Sequence, residues 1–279
     1  MAAYGHNSRI FGIRYFSAAR GNSAAEKKPS GEENRPTANF INRRKRLRHK
    51  THVAKTLAKR PKKRYNKGVM NAKDKKKAIE ILATEYPDAK PALKFGSPYQ
   101  LLVAVVLSAQ CTDERVNKVT ATLFKEHGTP EAMAALSQEE LEKYIYSCGF
   151  YHNKAAHILS ATNDVLTRYG GEVPATPEEL QNLAGVGRKT ANVVYSVAFW
   201  GNAIAVDTHV FRVSNRLGLA KGKTPVQVEK GLQRAIDENL WSKAHHYLIW
   251  HGRKVCHSQK PDCGHCALCG ICDFCAGKR

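Results

Sequence analysis

Long apolar runs are missing from this 279-residue chain. The longest, LLVAVVLSA at residues 101–109, is about half the roughly 18 residues that a membrane-spanning helix needs, so no membrane partner is expected. The first twenty residues lack the apolar core of a secretory signal. Strand-like alternation is nearly absent as well, which leaves an all-α fold class. Acidic residues are scarce at one end: residues 1–77 hold 23 Lys and Arg against 4 Asp and Glu, and the remainder holds 22 against 20. The net charge of +21 therefore sits in a tail, and the rest of the chain is close to neutral.

That tail, with INRRKRLRHKTHVAKTLAKRPKKRYNKG at its centre, has few large apolar residues and no sustained periodicity. It cannot offset the entropy of ordering, so residues 1–70 are expected to form a disordered basic extension. Such an arm either keeps the protein soluble or grips a polyanion through counterion release, without sequence preference. Its start carries Arg9, Arg14 and Arg20 and no acid, which leaves mitochondrial targeting open as the minor reading.

From about residue 71 the chain reads as helix after helix. Ser97-Pro98 starts one helix, and Ser137 with Glu140 and Thr176 with Glu179 have capping-box spacing. Gly128, Gly170 and Gly218 mark helix ends. Within LQNLAGVGRKTANVVYSVAF, two helical stretches meet at Gly185, Val186 and Gly187. Glycines allow a tight hairpin there, and the first-turn amides of the second helix suit a phosphate; a plain helical corner would use the same residues. In AIAVDTHVFRVSNRLG, an apolar approach delivers Asp207 to a helix start, where a carboxylate can cap, catalyse, or do both.

Six cysteines crowd the C-terminus at Cys256, Cys263, Cys266, Cys269, Cys272 and Cys275. Without a secretion signal they read as metal ligands rather than disulfides. Spacing alone suits either an iron–sulfur cluster or a tetrahedral zinc site.

In this order, VLSAQCTDERVNK, GFYHNKA, GVGRKTANVV, AVDTHVFRV, HHYLIWHGRKVC and the terminal cysteines resemble the endonuclease III family of helix-hairpin-helix DNA glycosylases, over about residues 72–272. The resemblance implies two helical domains with the active site in the cleft between them. One is a six-helix barrel at residues 91–201 containing the hairpin; the other is a discontinuous cluster domain, residues 71–90 plus 202–279. It implies removal of oxidised pyrimidines from duplex DNA by a bifunctional glycosylase and abasic-site lyase, acting as a monomer. The catalytic lysine falls on Lys189 and the aspartate on Asp207. Arg188 and partial burial are expected to favour a neutral Lys189 amine.

The same resemblance places Gln110 in the space left by a flipped base, Phe150 as an apolar wedge and His209 near the lesion. Gly185, Val186, Gly187, Arg188 and Lys260 are expected along the DNA backbone, although Asp262 weakens the grip of the loop that holds Lys260. The family spacing C-x6-C-x2-C-x5-C selects Cys256, Cys263, Cys266 and Cys272 as ligands of a [4Fe–4S] cluster, with Cys269 and Cys275 close by but unused. The match is nearest to bacterial-type members, which points to the bacterial cytoplasm and nucleoid. Two alternatives stay open: an adenine glycosylase of the same superfamily, which typically lacks a lysine at the Lys189 position, and a non-catalytic nucleic-acid-binding module.

Overall fold

Serine and threonine residues open half of the α-helices, and each does so through its own hydroxyl. The computed structural model describes residues 70–277, which form twelve α-helices and a short 3-10 turn, with no strand among the described residues. The expected disorder of residues 1–70 falls outside the described residues except for Met70, which is buried. The helices are α1 (Ala72–Glu85), α2 (Pro98–Leu107), α3 (Asp113–His127), α4 (Pro130–Ala134), α5 (Gln138–Ile145) and α6 (Tyr151–Tyr169). They continue with α7 (Pro177–Leu180), α8 (Arg188–Ala198), α9 (Thr208–Leu217), α10 (Pro225–Ala235), α11 (Trp241–Lys254) and α12 (Asp273–Ala276).

Ser97, Thr112, Thr129, Ser137, Thr176 and Thr224 each accept an amide hydrogen bond at the first turn of the helix they precede, which satisfies a donor the helix cannot. Ser137 and Glu140 complete the reciprocal capping box. At Thr176 the hydroxyl instead donates to the Glu179 carboxylate at 2.7 Å, so that box is only half made. Gly170 and Gly218 end α6 and α9 in the left-handed region. Gly128 ends α3 for a different reason: its φ is −86°, but a Cβ there would lie 2.4 Å from the Phe124 carbonyl oxygen.

Two buried apolar clusters organise these helices. One runs from Tyr99 to Val194 and gathers Leu101, Leu107, Leu123, Leu141, Ile158 and Val194 among others; α2, almost wholly buried, packs on α8 at its centre. The other joins Ala78, Ile79 and Leu82 of α1 to Val210, Val213, Val228, Leu232, Leu248, Leu268 and Ile271. The helix before the first cluster thus shares a core with the C-terminal segment. Each fully buried Leu or Val stabilises its cluster by about 1.5–3 kcal/mol relative to exposure. The chain passes from the first cluster to the second at residues 199–207, through buried Ala203, Ile204, Ala205 and Val206. That crossing carries Asp207 back toward the start of α8.

Candidate active site

The hairpin before α8 is built by close approach. Gly185 has φ +73°, and a Cβ on it would lie 2.9 Å from Cβ of His157 on α6. The Val186 amide donates to the Leu183 carbonyl at 3.1 Å and its side chain is buried, so Val186 builds the turn rather than an outer surface. Gly187 is the extended N-cap of α8 and no side chain caps that helix, which leaves its positive end toward solvent. Arg188 turns away from the mouth of the hairpin: its Nε and Nη2 donate to Glu229 on α10 at 2.9 and 2.8 Å, and Asn192 donates to the same carboxylate at 3.2 Å.

One turn position on, Lys189 lines a part-open cavity of about 610 Å³, counting solvent at its mouth. Asp207 lines the same cavity, together with Ser108, His245, His246, Trp250 and Arg253. Asp207 caps α9 with Oδ1, which accepts from the Val210 amide at 2.7 Å. Capping fixes the carboxylate at the cavity wall, so the structural and chemical readings of this residue coincide. His245 is buried and hydrogen-bonds the Ala205 carbonyl through Nδ1 at 2.8 Å, two residues before Asp207. Since a carbonyl only accepts, Nδ1 carries the proton, and burial holds the His245 pKa below the ordinary histidine range. Burial likewise takes His246 down to about 3, so both imidazoles are neutral at pH 7.

The surroundings expected for Lys189 need correction. The residue is exposed rather than partly buried, and the Arg188 charge expected beside it is taken up by Glu229.

Gln110 and Phe150 stand out by backbone alone. Among the described residues only Gln110, Phe150 and Trp200 are non-glycine residues with positive φ, at 53°, 53° and 57°. Phe150 is 64% exposed although apolar, and Gln110 is also exposed. Both are exposed and held in a sparsely populated conformation. His209 is not among the residues lining the Lys189 cavity; its Nδ1 meets Arg212 at 3.1 Å and its Cβ packs on Gly252. Lys260 is exposed on the loop after α11, where Asp262 pairs with His265 at 2.9 Å.

Cys256, Cys263, Cys266 and Cys272 all have free thiols and line one cavity of about 370 Å³, open at one side, with Val213, Leu217 and Leu268. Arg216 Nη1 donates to the Cys256 sulfur at 3.6 Å, and His251 Nε2 lies 3.7 Å from the Cys266 sulfur. Arg212 donates to the Cys256 carbonyl at 3.1 Å, and Arg216 to the carbonyls of His257 and Ser258, both at 2.6 Å. Among the described residues no three His, Cys, Asp or Glu side chains converge as a single ion would require, so the four sulfurs border a space rather than a point. The donor set, four thiols in a mostly apolar niche with cationic and imidazole groups against two of them, fits a multi-atom thiolate-bound cluster.

Cys269 and Cys275, expected close to the ligands but unused, form a disulfide, with Cα atoms 5.4 Å apart, which corrects the reading of the terminal cysteines as ligands rather than disulfides. The loop that carries Cys272 returns on itself through the short α12, and this brings the two thiols together. Sequence reasoning also missed Glu229, His245 and the α9 arginines; the i, i+4 spacing of Arg212 and Arg216 was the available signal for the last.

Residues 103–238 match the model of the HhH-GPD superfamily of base excision DNA repair proteins. Endonuclease III of Bacillus subtilis is 47% identical over 205 residues, which are 73% of this chain and 94% of that protein. The chain belongs to the endonuclease III family. Endonuclease III of Escherichia coli is 44% identical over 204 residues, 72% of this chain and 97% of that protein. Among solved structures, a trapped endonuclease III–DNA covalent intermediate in an estranged-adenine complex superposes with a TM-score of 0.72 at 45% identity, over 75% of this chain and 99% of that one. Endonuclease III membership accounts for the order of hairpin, lysine, aspartate and cysteines along the chain.

Proposed function

We propose that this endonuclease III family member, a bifunctional DNA glycosylase and abasic-site lyase of base excision repair, acts through Lys189 and Asp207 on oxidised pyrimidines in duplex DNA. The observation that carries the assignment is the shared cavity: a primary amine from one helical core and a carboxylate from the other face one space. The Lys189 Nζ lone pair attacks C1′ of the damaged nucleotide, the N-glycosidic bond breaks, and the base leaves with a proton. Arginine could not replace it, because guanidinium does not deprotonate. Asp207, pinned by the α9 amide, stabilises positive charge developing on the sugar and accepts a proton. The iminium between Lys189 and C1′ acidifies the C2′ hydrogen; its removal expels the 3′ phosphate oxygen and cuts the strand.

The target base must leave the stack to reach this cavity. Gln110 and Phe150 would fill the gap, the outward end of α8 would take a backbone phosphate, and Lys260 would add a further phosphate contact. Arg188 serves instead to anchor the hairpin through Glu229. His209, held by Arg212, would lie near the lesion. Cys256, Cys263, Cys266 and Cys272 would hold a [4Fe–4S] cluster, whose contribution when bound is to fix the C-terminal loop. The domain division at residues 91–201, against 71–90 plus 202–279, follows the two cores. A single polypeptide on DNA in a bacterial cytoplasm or nucleoid is the setting this reading implies; no described helix is long and apolar enough to cross a membrane.

The test is borohydride trapping on duplexes carrying single oxidised pyrimidines. A covalent protein–DNA adduct is expected with the native chain and none with Lys189→Ala. Failure of the native chain to trap would remove the lyase reading and leave a binding module.

A further inference from the structure

One buried charge is unused by the site as described. Lys154, in the first turn of α6, is 5% exposed, and a buried ammonium costs free energy unless its protons are taken up. Its Nζ donates to the Leu107 carbonyl at 2.9 Å and to the Cys148 carbonyl at 2.5 Å. These acceptors belong to different loops. Leu107 is the last residue of α2, three before Gln110, and its carbonyl is one that a helix end leaves without an intrahelical partner. Cys148 lies two residues before Phe150. The Lys154 amide makes the first backbone bond of α6, to the carbonyl of the N-cap Phe150 at 3.1 Å, so the Lys154 side chain rises from the helix turn that Phe150 opens. Cys111, the residue after Gln110, packs against the same buried cluster as Cys148.

Gln110 and Phe150 are two of the three non-glycine residues held at positive φ among the described residues, and one side chain ties both of their loops together. Such conformations persist only where the surroundings over-determine them. A methionine would fill the same volume without burying charge, so core packing alone does not call for lysine here. Three donors on a long stem do suit two carbonyls that approach from the end of α2 and from the connection between α5 and α6.

We propose that Lys154 is a positioning residue for base flipping, a strut that fixes the Gln110 and Phe150 loops to each other so that the two side chains enter the duplex together. The proposal rests on the reading of Gln110 and Phe150 as inserting residues. It assigns Lys154 no contact with substrate.

The experiment compares the full-length native chain with Lys154→Met, Lys154→Arg, Gln110→Ala and Phe150→Ala, in single-turnover excision from a duplex with one oxidised pyrimidine. A 2-aminopurine opposite the lesion reports unstacking by fluorescence. Strand cleavage at a preformed abasic site in single-stranded DNA reports the chemistry without flipping. Lys154→Met is expected to slow duplex excision by about 10- to 100-fold and to blunt the fluorescence rise, with single-strand cleavage unchanged. Lys154→Arg, which keeps the donors, is expected to recover part of the loss; it carries the test should the methionine variant not fold. Native duplex excision in Lys154→Met, while Gln110→Ala and Phe150→Ala are slow, overturns the strut and spares the insertion reading. Native excision in all three removes both. Equal losses on duplex and single strand overturn the strut as well, since Lys154 would then support the fold or the active site at large.

Discussion

Replacing Glu229 by glutamine tests how the hairpin is held from behind. The carboxylate side chain is 6% exposed and accepts three hydrogen bonds, two from Arg188 and one from Asn192. Glutamine is nearly isosteric, but its amide turns N–H donors toward the guanidinium and withdraws the charge. Breaking a fully buried pair costs about 3–5 kcal/mol, because the surviving ion is left uncompensated. Arg188 is 48% exposed and rehydrates, so the loss is discounted to about 2 kcal/mol. For a fold of this size that lowers Tm by roughly 4–8 °C, measured by circular dichroism at 222 nm. A double-mutant cycle with Arg188→Ala should return a coupling of about 1–2 kcal/mol. The salt slope of duplex binding should be the same in Arg188→Ala as in the native chain, because Arg188 is committed to Glu229 rather than to phosphate. A Tm within 1 °C of native and a coupling near zero would refute the anchoring argument; a shallower salt slope would return Arg188 to the DNA interface.

Two further outcomes are expected. Cys272→Ser should lose the visible absorbance of the holoprotein while Cys269→Ser and Cys275→Ser keep it, since the family spacing gives the latter pair, joined as a disulfide with Cys275 at the cavity wall, no ligand role; bleaching by Cys269→Ser would shift the ligand register. His246 has a folded pKa of about 3 against 6.5 as its ordinary value, so the unfolded chain binds more protons between those values. Its contribution to stability is complete above pH 6.5 and is lost as pH falls, by about 1.4 kcal/mol per unit in that window. Denaturant titrations at pH 7 and pH 5 should therefore show His246→Phe losing less stability on acidification than the native chain, and equal losses would argue against the assignment.

What could be read in advance divides by sequence distance. Helix starts, the hairpin and the Asp207 cap are set within four residues of their own positions, so residue type and spacing revealed them. Gly128 shows the limit even there: it stops a helix as expected, but through contact with Phe124 and Gln100 rather than through positive φ. The Cys269–Cys275 disulfide escaped because the lack of a secretion signal argues for ligands over disulfides, and the period of three prefers no one pairing. Lys154 escaped for a stronger reason. In HNKAAHILSATNDVLTRYG it looks like one polar residue on an amphipathic helix, and one of its two acceptors lies 47 residues away. The three features least legible in sequence, Lys154, Glu229 and His245, are buried polar groups partnered across helices, which periodicity cannot assign because it says which face is buried and not what meets it. These partnerships steady the residues the motifs do reveal: Lys154 the insertion loops, Glu229 the hairpin before Lys189, and His245 the segment that presents Asp207. Substitutions at these three positions should therefore alter catalysis while leaving Lys189, Asp207 and the four ligand cysteines in place.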